Sequence, residues 1–306
     1  SRGLPYREYT GNTHNLNVSG DYLYNSRNAK ECFMCSGVED CKYTQFVSVP
    51  KATNCMDYYG WGNSADLIYE CATSGEGISN LKFSFGMFAN GIDSEYCGFC
   101  IGSNNNFGSA NLKRKKYCIL NKEYSKEEYE KLRERIIKDM EKNPFISKNG
   151  SICKYGEFFP AEFSPFPYPD SNASRFFKKT KEEALSAGFK WQDIIRSSHT
   201  ATMSGNDLPE SILESNEDIL NEIIGCSECG SGFKITKGEF DLHKKLNIPV
   251  SSKCPKCREK RRFETLNMLT IRRSNCHKCS KEINTAFPKD SNKIIYCESC
   301  YQKEVM

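Results

Sequence analysis

NAKECFMC at residues 28–35 returns in altered form as KATNCMDYY at 51–59, NLKFSFGMF at 80–88 and NLKRKKYCIL at 111–120. A second set interleaves with the first: EDCKYTQF at 39–46, ADLIYECA at 65–72 and GIDSEYCGFC at 91–100. Members of either set follow one another at similar intervals, so one short segment alternates with another. From Asn15 to about Asn121 the chain is rich in Asn, Ser, Gly, Tyr, Phe and Cys and has no helical periodicity. Such a repeat predicts stacked coils, because each unit can bury its apolar side only against its neighbours. Small and thiol side chains suit a narrow interior, and Asn and Gly supply left-handed corners. Residues 1–121 are therefore expected to form a short, β-helix-like β-solenoid with Cys32, Cys41, Cys55, Cys71, Cys97 and Cys118 partly inside it. Two alternatives stay open. One is a third metal site from Cys32, Cys35, Cys97 and Cys100, although the stretch between those two pairs is longer than a normal knuckle spacing. The other is a disulfide-stapled secreted module.

Residues 122–225 read as a helical and irregular middle region. Ser125 with Glu128 makes a capping box, and Tyr129, Leu132, Ile136 and Met140 then recur at helical spacing until Asn143-Pro144, which predicts a helix over 125–142. Its face of Lys131, Arg133, Glu134, Lys138 and Glu141 is mixed in sign and reads as solvated surface. Five prolines lie among Phe145, Phe158, Phe159, Phe163, Phe166 and Tyr168 in residues 144–178, so this segment is expected to be irregular and to wrap over the solenoid or a helix, or else to serve as an exposed docking strip. Thr180 with Glu183 caps a second short helix ended by Gly188. Ser215 with Asp218 caps a third, DILNEII, ended by Gly225. Residues 196–211, which include His199, read as a linker.

Eight of the 17 cysteines form four CxxC pairs in residues 226–306: Cys226/Cys229, Cys254/Cys257, Cys276/Cys279 and Cys297/Cys300. Intervals of 24, 18 and 17 residues between the pairs are those of two tetrahedral four-thiolate sites. Two zinc ions are expected, structural because a closed cysteine shell leaves no position for water. Sequential pairing closes the shorter loops, and a cross-braced pairing also fits the spacing. His243 and His277 could replace a cysteine only under another pairing, and otherwise read as surface histidines.

Residues 226–262, CSECGSGFKITKGEFDLHKKLNIPVSSKCPKCREKRR, resemble a zinc-ribbon or treble-clef domain on the strength of the CxxC, Phe233, Phe240, Pro249 and Cys254-Pro-Lys-Cys-Arg258. The unit from Cys276 to Val305 resembles a treble-clef knuckle whose hairpin ends at YCESCY. The repeat, the segment YCILNKEYSKEEYE and the zinc tail in that order resemble an uncharacterised bacterial metagenomic family. That resemblance implies the architecture and no activity, ligand or catalytic residue.

Charge divides with the cysteines. Residues 226–306 hold 17 Lys and Arg against 9 Asp and Glu, which leaves residues 1–225 at −4 of an overall +4. Arg258, Lys260, Arg261, Arg262, Arg272 and Arg273 fall within 16 residues, with Phe263 available to stack, a pattern suited to contact with DNA or RNA. Part of this charge offsets the thiolates, since a four-cysteine zinc site carries −2. At 306 residues, 38% hydrophobic and 27% charged, the composition is that of an ordinary soluble chain rather than a disordered or membrane one. No run approaches a membrane-spanning helix and no leader opens the chain, so a cytoplasmic location is expected, although a start at Ser1 leaves room for an upstream segment. No GxGxxG, P-loop, HExxH or GxSxG is present, and the four histidines, His14, His199, His243 and His277, offer little acid–base chemistry. The sequence thus describes a multidomain, mainly β plus α chain: a solenoid at 1–121, a middle at 122–225 and a tandem zinc-ribbon or treble-clef domain at 226–306. Its expected role is non-enzymatic zinc-dependent binding of nucleic acid or a nucleoprotein. A protein-interaction scaffold is the alternative, and a carbohydrate-active β-helix enzyme using Asp40, Asp57 or Asp66 is a third.

Overall fold

The computed structural model describes every residue except 1–3, 10, 194–199, 268 and 306. His199 and the first part of the expected linker lie outside the described residues. Contacts divide the chain into two compact units: Ser1–Phe166, Lys179–Lys190 and Asn267–Met306 form the first, and Pro167–Lys178 and Trp191–Leu266 form the second. The expected tandem at 226–306 is therefore cut between residues 266 and 267. Its second cysteine cluster belongs with the coils.

A repeating triplet builds the solenoid. One residue is buried, the next joins a parallel bridge to the neighbouring coils, and the third adopts positive φ: Cys32, Phe33, Met34; Cys35, Ser36, Gly37; Val38, Glu39, Asp40. A left-handed residue turns the chain, so four triplets close one coil. Bridges run in turn from Arg27 to Glu39, Thr53, Asp66, Ser79, Ile92, Asn104 and Lys116, and each step is four triplets with at most a small insertion. The coil is thus about half the interval between members of one set: the interleaved segments lie on separate coils, with one further coil, carrying Asn104, between the last two. Gly20, at φ 133°, shows how close neighbouring coils come, since a Cβ there would lie 1.7 Å from the carbonyl oxygen of Cys32.

The buried columns explain the cysteines. Cys32, Cys35, Cys41, Cys55, Cys71, Cys97, Cys100 and Cys118 are all buried and unpaired, so Cys35 and Cys100 join the six expected inside. Each thiol donates to the carbonyl two residues earlier, as Cys35 does to Phe33 (3.3 Å) and Cys97 to Glu95 (3.3 Å). Buried serines do the same and also accept from the next coil: Ser74 Oγ takes the Met87 N–H (3.0 Å) and Ser84 Oγ the Cys97 N–H (3.1 Å). Burial pushes the thiols of Cys32 and Cys71 up to about 12, so both stay protonated at neutral pH. Along one exposed corner Asn17 donates to Asn28, Asn28 to Asp40, Asn54 to Asp66 and Asn80 to Asp93, at 2.7–2.9 Å. Asp40 and Asp66, considered for glycan cleavage, are members of this ladder.

The helices used below are α1 (Lys126–Lys142), α2 (Lys181–Ser186), α3 (Lys237–Leu246), α4 (Pro255–Glu264) and α5 (Glu298–Val305), and the strands are β1 (Tyr6–Arg7), β2 (Arg272–Asn275) and β3 (Glu282–Thr285). Capping boxes at Ser125/Glu128 and Thr180/Glu183 start α1 and α2 as expected. DILNEII instead gives a short 3-10 turn, Glu217–Leu220, and a strand, Ile224–Gly225, because Ile219 and Ile224 are both drawn into the core of the second unit. Residues 203–211 are part of that unit and not a free linker. Gly205 lies where a Cβ would meet the carbonyl oxygens of Ser252 and Gly225 at 2.6 and 2.7 Å.

In the first unit the last coil is covered by the hairpin of Cys118–Ile119 with Lys122–Glu123 and by α1, whose Tyr129 packs on Phe107 and Ile119. Arg133 departs from the solvated face assigned to it. It reaches the buried Glu95 through both carboxylate oxygens (2.8–3.1 Å), and Lys82 (3.0 Å) and Tyr155 (3.2 Å) meet the same carboxylate. The proline- and aromatic-rich segment wraps over the coils through Tyr155 and Phe159, whose rings lie 5.8 Å from Phe83 and 5.6 Å from Phe85.

Removing Arg133 strips the buried Glu95 carboxylate of its bidentate partner, and removing Glu95 leaves the partly exposed Arg133 and Lys82 without theirs. Glu95→Ala and Arg133→Ala are each expected to lower stability by about 3 kcal/mol, and the double variant by clearly less than the sum, in a urea-melt cycle. Additive losses would show that the pair does not hold α1 on the coils.

Candidate metal centres

The eight CxxC cysteines gather in two groups of four, Cys226, Cys229, Cys254 and Cys257 in the second unit and Cys276, Cys279, Cys297 and Cys300 in the first. The pairing is sequential and not cross-braced. Cys32, Cys35, Cys97 and Cys100 form no such group; they are interior residues of separate coils.

Both centres are built alike. A tight turn closes the first CxxC, with the N–H of Gly230 donating to Cys226 O and that of Ser280 to Cys276 O, 2.9 Å each. Inside the turn the N–H of Glu228 points at Cys226 Sγ and that of Lys278 at Cys276 Sγ, 3.5 Å each. The third ligand's N–H then approaches the same sulfur: Cys254 to Cys226 at 3.3 Å and Cys297 to Cys276 at 3.2 Å. The second CxxC opens a helix in each case. Cys254 is the N-cap of α4 and Pro255 its first residue, a position that needs no N–H. Cys297 immediately precedes α5, which contains Cys300.

These donors favour thiolate at the first ligand. Burial alone would raise Cys226 and Cys276, but the surrounding backbone N–H groups outweigh it and bring each down to about 6. Burial and the neighbouring sulfurs push Cys257 and Cys300 up, because four thiolates this close need a cation between them. Sulfur separations fit one: Cys229 to Cys254 is 3.8 Å and Cys279 to Cys297 is 3.7 Å. A tetrahedron with metal–sulfur bonds of about 2.3 Å has an edge of about 3.8 Å. All four ligand atoms in each group lie within 4.8 Å of one another, which leaves no place for a substrate or water as an additional ligand in a tetrahedral shell.

Neither histidine is a ligand. His243 is buried rather than on the surface, and its Nδ1 lies 2.8 Å from Pro249 O, which ties α3 to the loop leading to Cys254. His277 is exposed, and its Nδ1 accepts from the Ile295 N–H (3.0 Å).

The six basic residues fall in two different units. Arg258, Lys260, Arg261 and Arg262 lie on α4 in the second unit, and Arg272 and Arg273 on β2 in the first. Arg258 pairs with Glu239 (3.0 Å) and Lys260 with Glu264 (3.8 Å). Arg272 donates to the carbonyls of Phe287 (2.6 Å) and Pro288 (3.2 Å), and Arg273 faces Glu282 (3.9 Å). Arg261 and Arg262 are exposed. Phe263, expected to be free to stack, lies under the Arg175 guanidinium (4.6 Å) and edge-on to Phe176 (5.7 Å).

In the first unit the second centre also holds the chain's opening segment. Strand β1 pairs in parallel with the strand Ile295–Tyr296, which ends at the ligand Cys297. Glu298, beside that ligand, accepts from Tyr9 OH (2.8 Å) and faces Arg7 (3.4 Å).

Comparison with protein-family models, curated proteins and solved structures finds no match.

Cys254→Ser is expected to halve the metal bound per chain and to expose the amides of α3 and α4 to hydrogen exchange while the coils stay protected. Cys297→Ser should instead release Tyr6 and Arg7. Loss of protection throughout the chain in the Cys254 variant would contradict the division into units.

Proposed function

We propose that the protein is a non-enzymatic scaffold, held by two structural zinc ions, that binds another protein. Zinc is the metal these shells suit, with four soft thiolates at tetrahedral spacing and no redox chemistry required of the ion. Cys226, Cys229, Cys254 and Cys257 would hold one ion, and Cys276, Cys279, Cys297 and Cys300 the other. Buried thiols in the coils that form no disulfide agree with a reducing compartment such as the cytoplasm.

The observation that carries the binding role is an apolar row on the coils. Val49, Trp61, Phe99 and Ile101 are each between 40 and 47% exposed, and they lie on or beside one ladder, Val49 to Gly62 to Gly75 to Phe88 to Ile101. Trp61 meets Phe88 and Phe85 meets Phe99 edge to face, at 5.9 and 5.0 Å, which makes the row a preformed surface. Contiguous exposed aromatics of this kind mark protein contacts.

Nucleic-acid binding is the second reading, favoured by the exposed Lys256, Lys260, Arg261 and Arg262 on α4. Salt dependence separates the two. Full-length, zinc-loaded protein is expected to show no retention of DNA or RNA that falls steeply between about 50 and 200 mM salt. A steep fall in retention, abolished by Arg261→Ala with Arg262→Ala, would establish nucleic acid as the partner.

A further inference from the structure

Within the coils the left-handed residues donate their backbone N–H one coil back: Asn25 to Thr13 O, Asn28 to Leu16 O, Gly37 to Tyr24 O and Asp40 to Arg27 O, at 2.9–3.1 Å. His14 and Asn17 have the same conformation, both at φ 54°, but they belong to the first coil. The chain before them turns away, with β1 pairing elsewhere. Among the described residues neither N–H has a backbone acceptor. Facing them is the strand β3, whose sheet partner among the described residues is β2 alone. A groove of about 610 Å³ separates the two edges, with His14, Asn17 and Val18 on one wall and Lys281, Ile283 and Asn284 on the other. This volume is in the range of ligand sites.

We propose that this groove accepts a peptide segment of a partner protein, coiled with a left-handed residue at every third position, as one more rung of the solenoid. The proposal rests on the protein-binding role above and specifies its partner's form. Donors at every third position call for acceptor carbonyls at every third position, the register of the coils themselves. Asn17 is the first member of the corner ladder, donating to Asn28 and accepting from Lys30 (2.6 Å), so a guest with Asn or Gly at every third position continues that column. A second copy has no free rung to offer head to tail, because its last coil is covered by the Cys118–Glu123 hairpin and α1.

The probe is a fluorescein-labelled peptide SNNNFGSANL, which copies residues 103–112, titrated into the full-length zinc-loaded protein by fluorescence anisotropy. Saturable binding is expected, weakened about ten-fold or more by Asn284→Trp and by Lys281→Trp, two exposed positions on the β3 wall whose variants should melt as the parent does. A peptide with proline at its third and ninth positions, where positive φ is needed, should not bind. No saturation at millimolar peptide, or binding indifferent to both groove substitutions, overturns the proposal. Light scattering that shows a dimer dissociated by Asn284→Trp also overturns it, by assigning the groove to a second copy. Either failure leaves the protein-binding role intact, since that role stands on the apolar row and on the salt experiment.

Discussion

Everything in the first unit depends on a left-handed residue at every third position. Outside glycine this conformation costs on the order of 1–2 kcal/mol per residue, and here it is adopted by Tyr22, Met34, Phe46, Leu67 and Phe83 as well as by asparagines. Parallel bridges on all sides of the coil offset that cost, and the interior reached from so tight a turn is too narrow for large side chains at every level. Cysteine, serine, alanine and threonine fill most of it, with Tyr58, Leu81 and Met87 where a neighbour is small. A thiol is nearly ideal there, since it packs as a small apolar group and still closes a local bond to a carbonyl.

A column of coils has two open ends, and the chain treats them differently. The last coil is closed by a hairpin and by α1, locked through the buried Glu95 and its three partners. At the first coil the neighbouring element is a cysteine-ligated module, anchored by β1 and by Glu298. That module is too small to bury a large core of its own: its hydrophobic cluster consists of Ile283, Phe287 and Ile295 with the buried Cys276 and Cys297. A metal ion held by its four cysteines would supply what so few apolar contacts cannot.

Much of this was legible in particular residues. Ser125 with Glu128, and Thr180 with Glu183, named their helices because a capping box is a local bond set. Four CxxC turns named their ligands because a turn must present two sulfurs together. The coil length was hidden, since segments matched by their cysteines fall on alternate coils and the triplet beneath them has no apolar period of its own. Arg133 was misassigned because its partner Glu95 lies 38 residues away in sequence. Phe263 and Arg272 were misjudged for the same reason: the groups that occupy them, Arg175 and the carbonyls of Phe287 and Pro288, come from distant segments or turns.

By itself, then, the sequence determined what short-range geometry can enforce: that the repeat from Asn15 to about Asn121 coils, where α1 and α2 begin, and which eight cysteines gather in two groups of four. Only the tertiary structure decided how these parts combine. It placed the second cysteine cluster with the solenoid rather than with the first, divided the basic stretch between two units, and left the N–H groups of His14 and Asn17 without a rung to join. The physical reason is range. Caps, turns and thiolate spacing are satisfied within a few residues, whereas burial and strand pairing are settled between segments that the order of the chain does not bring together.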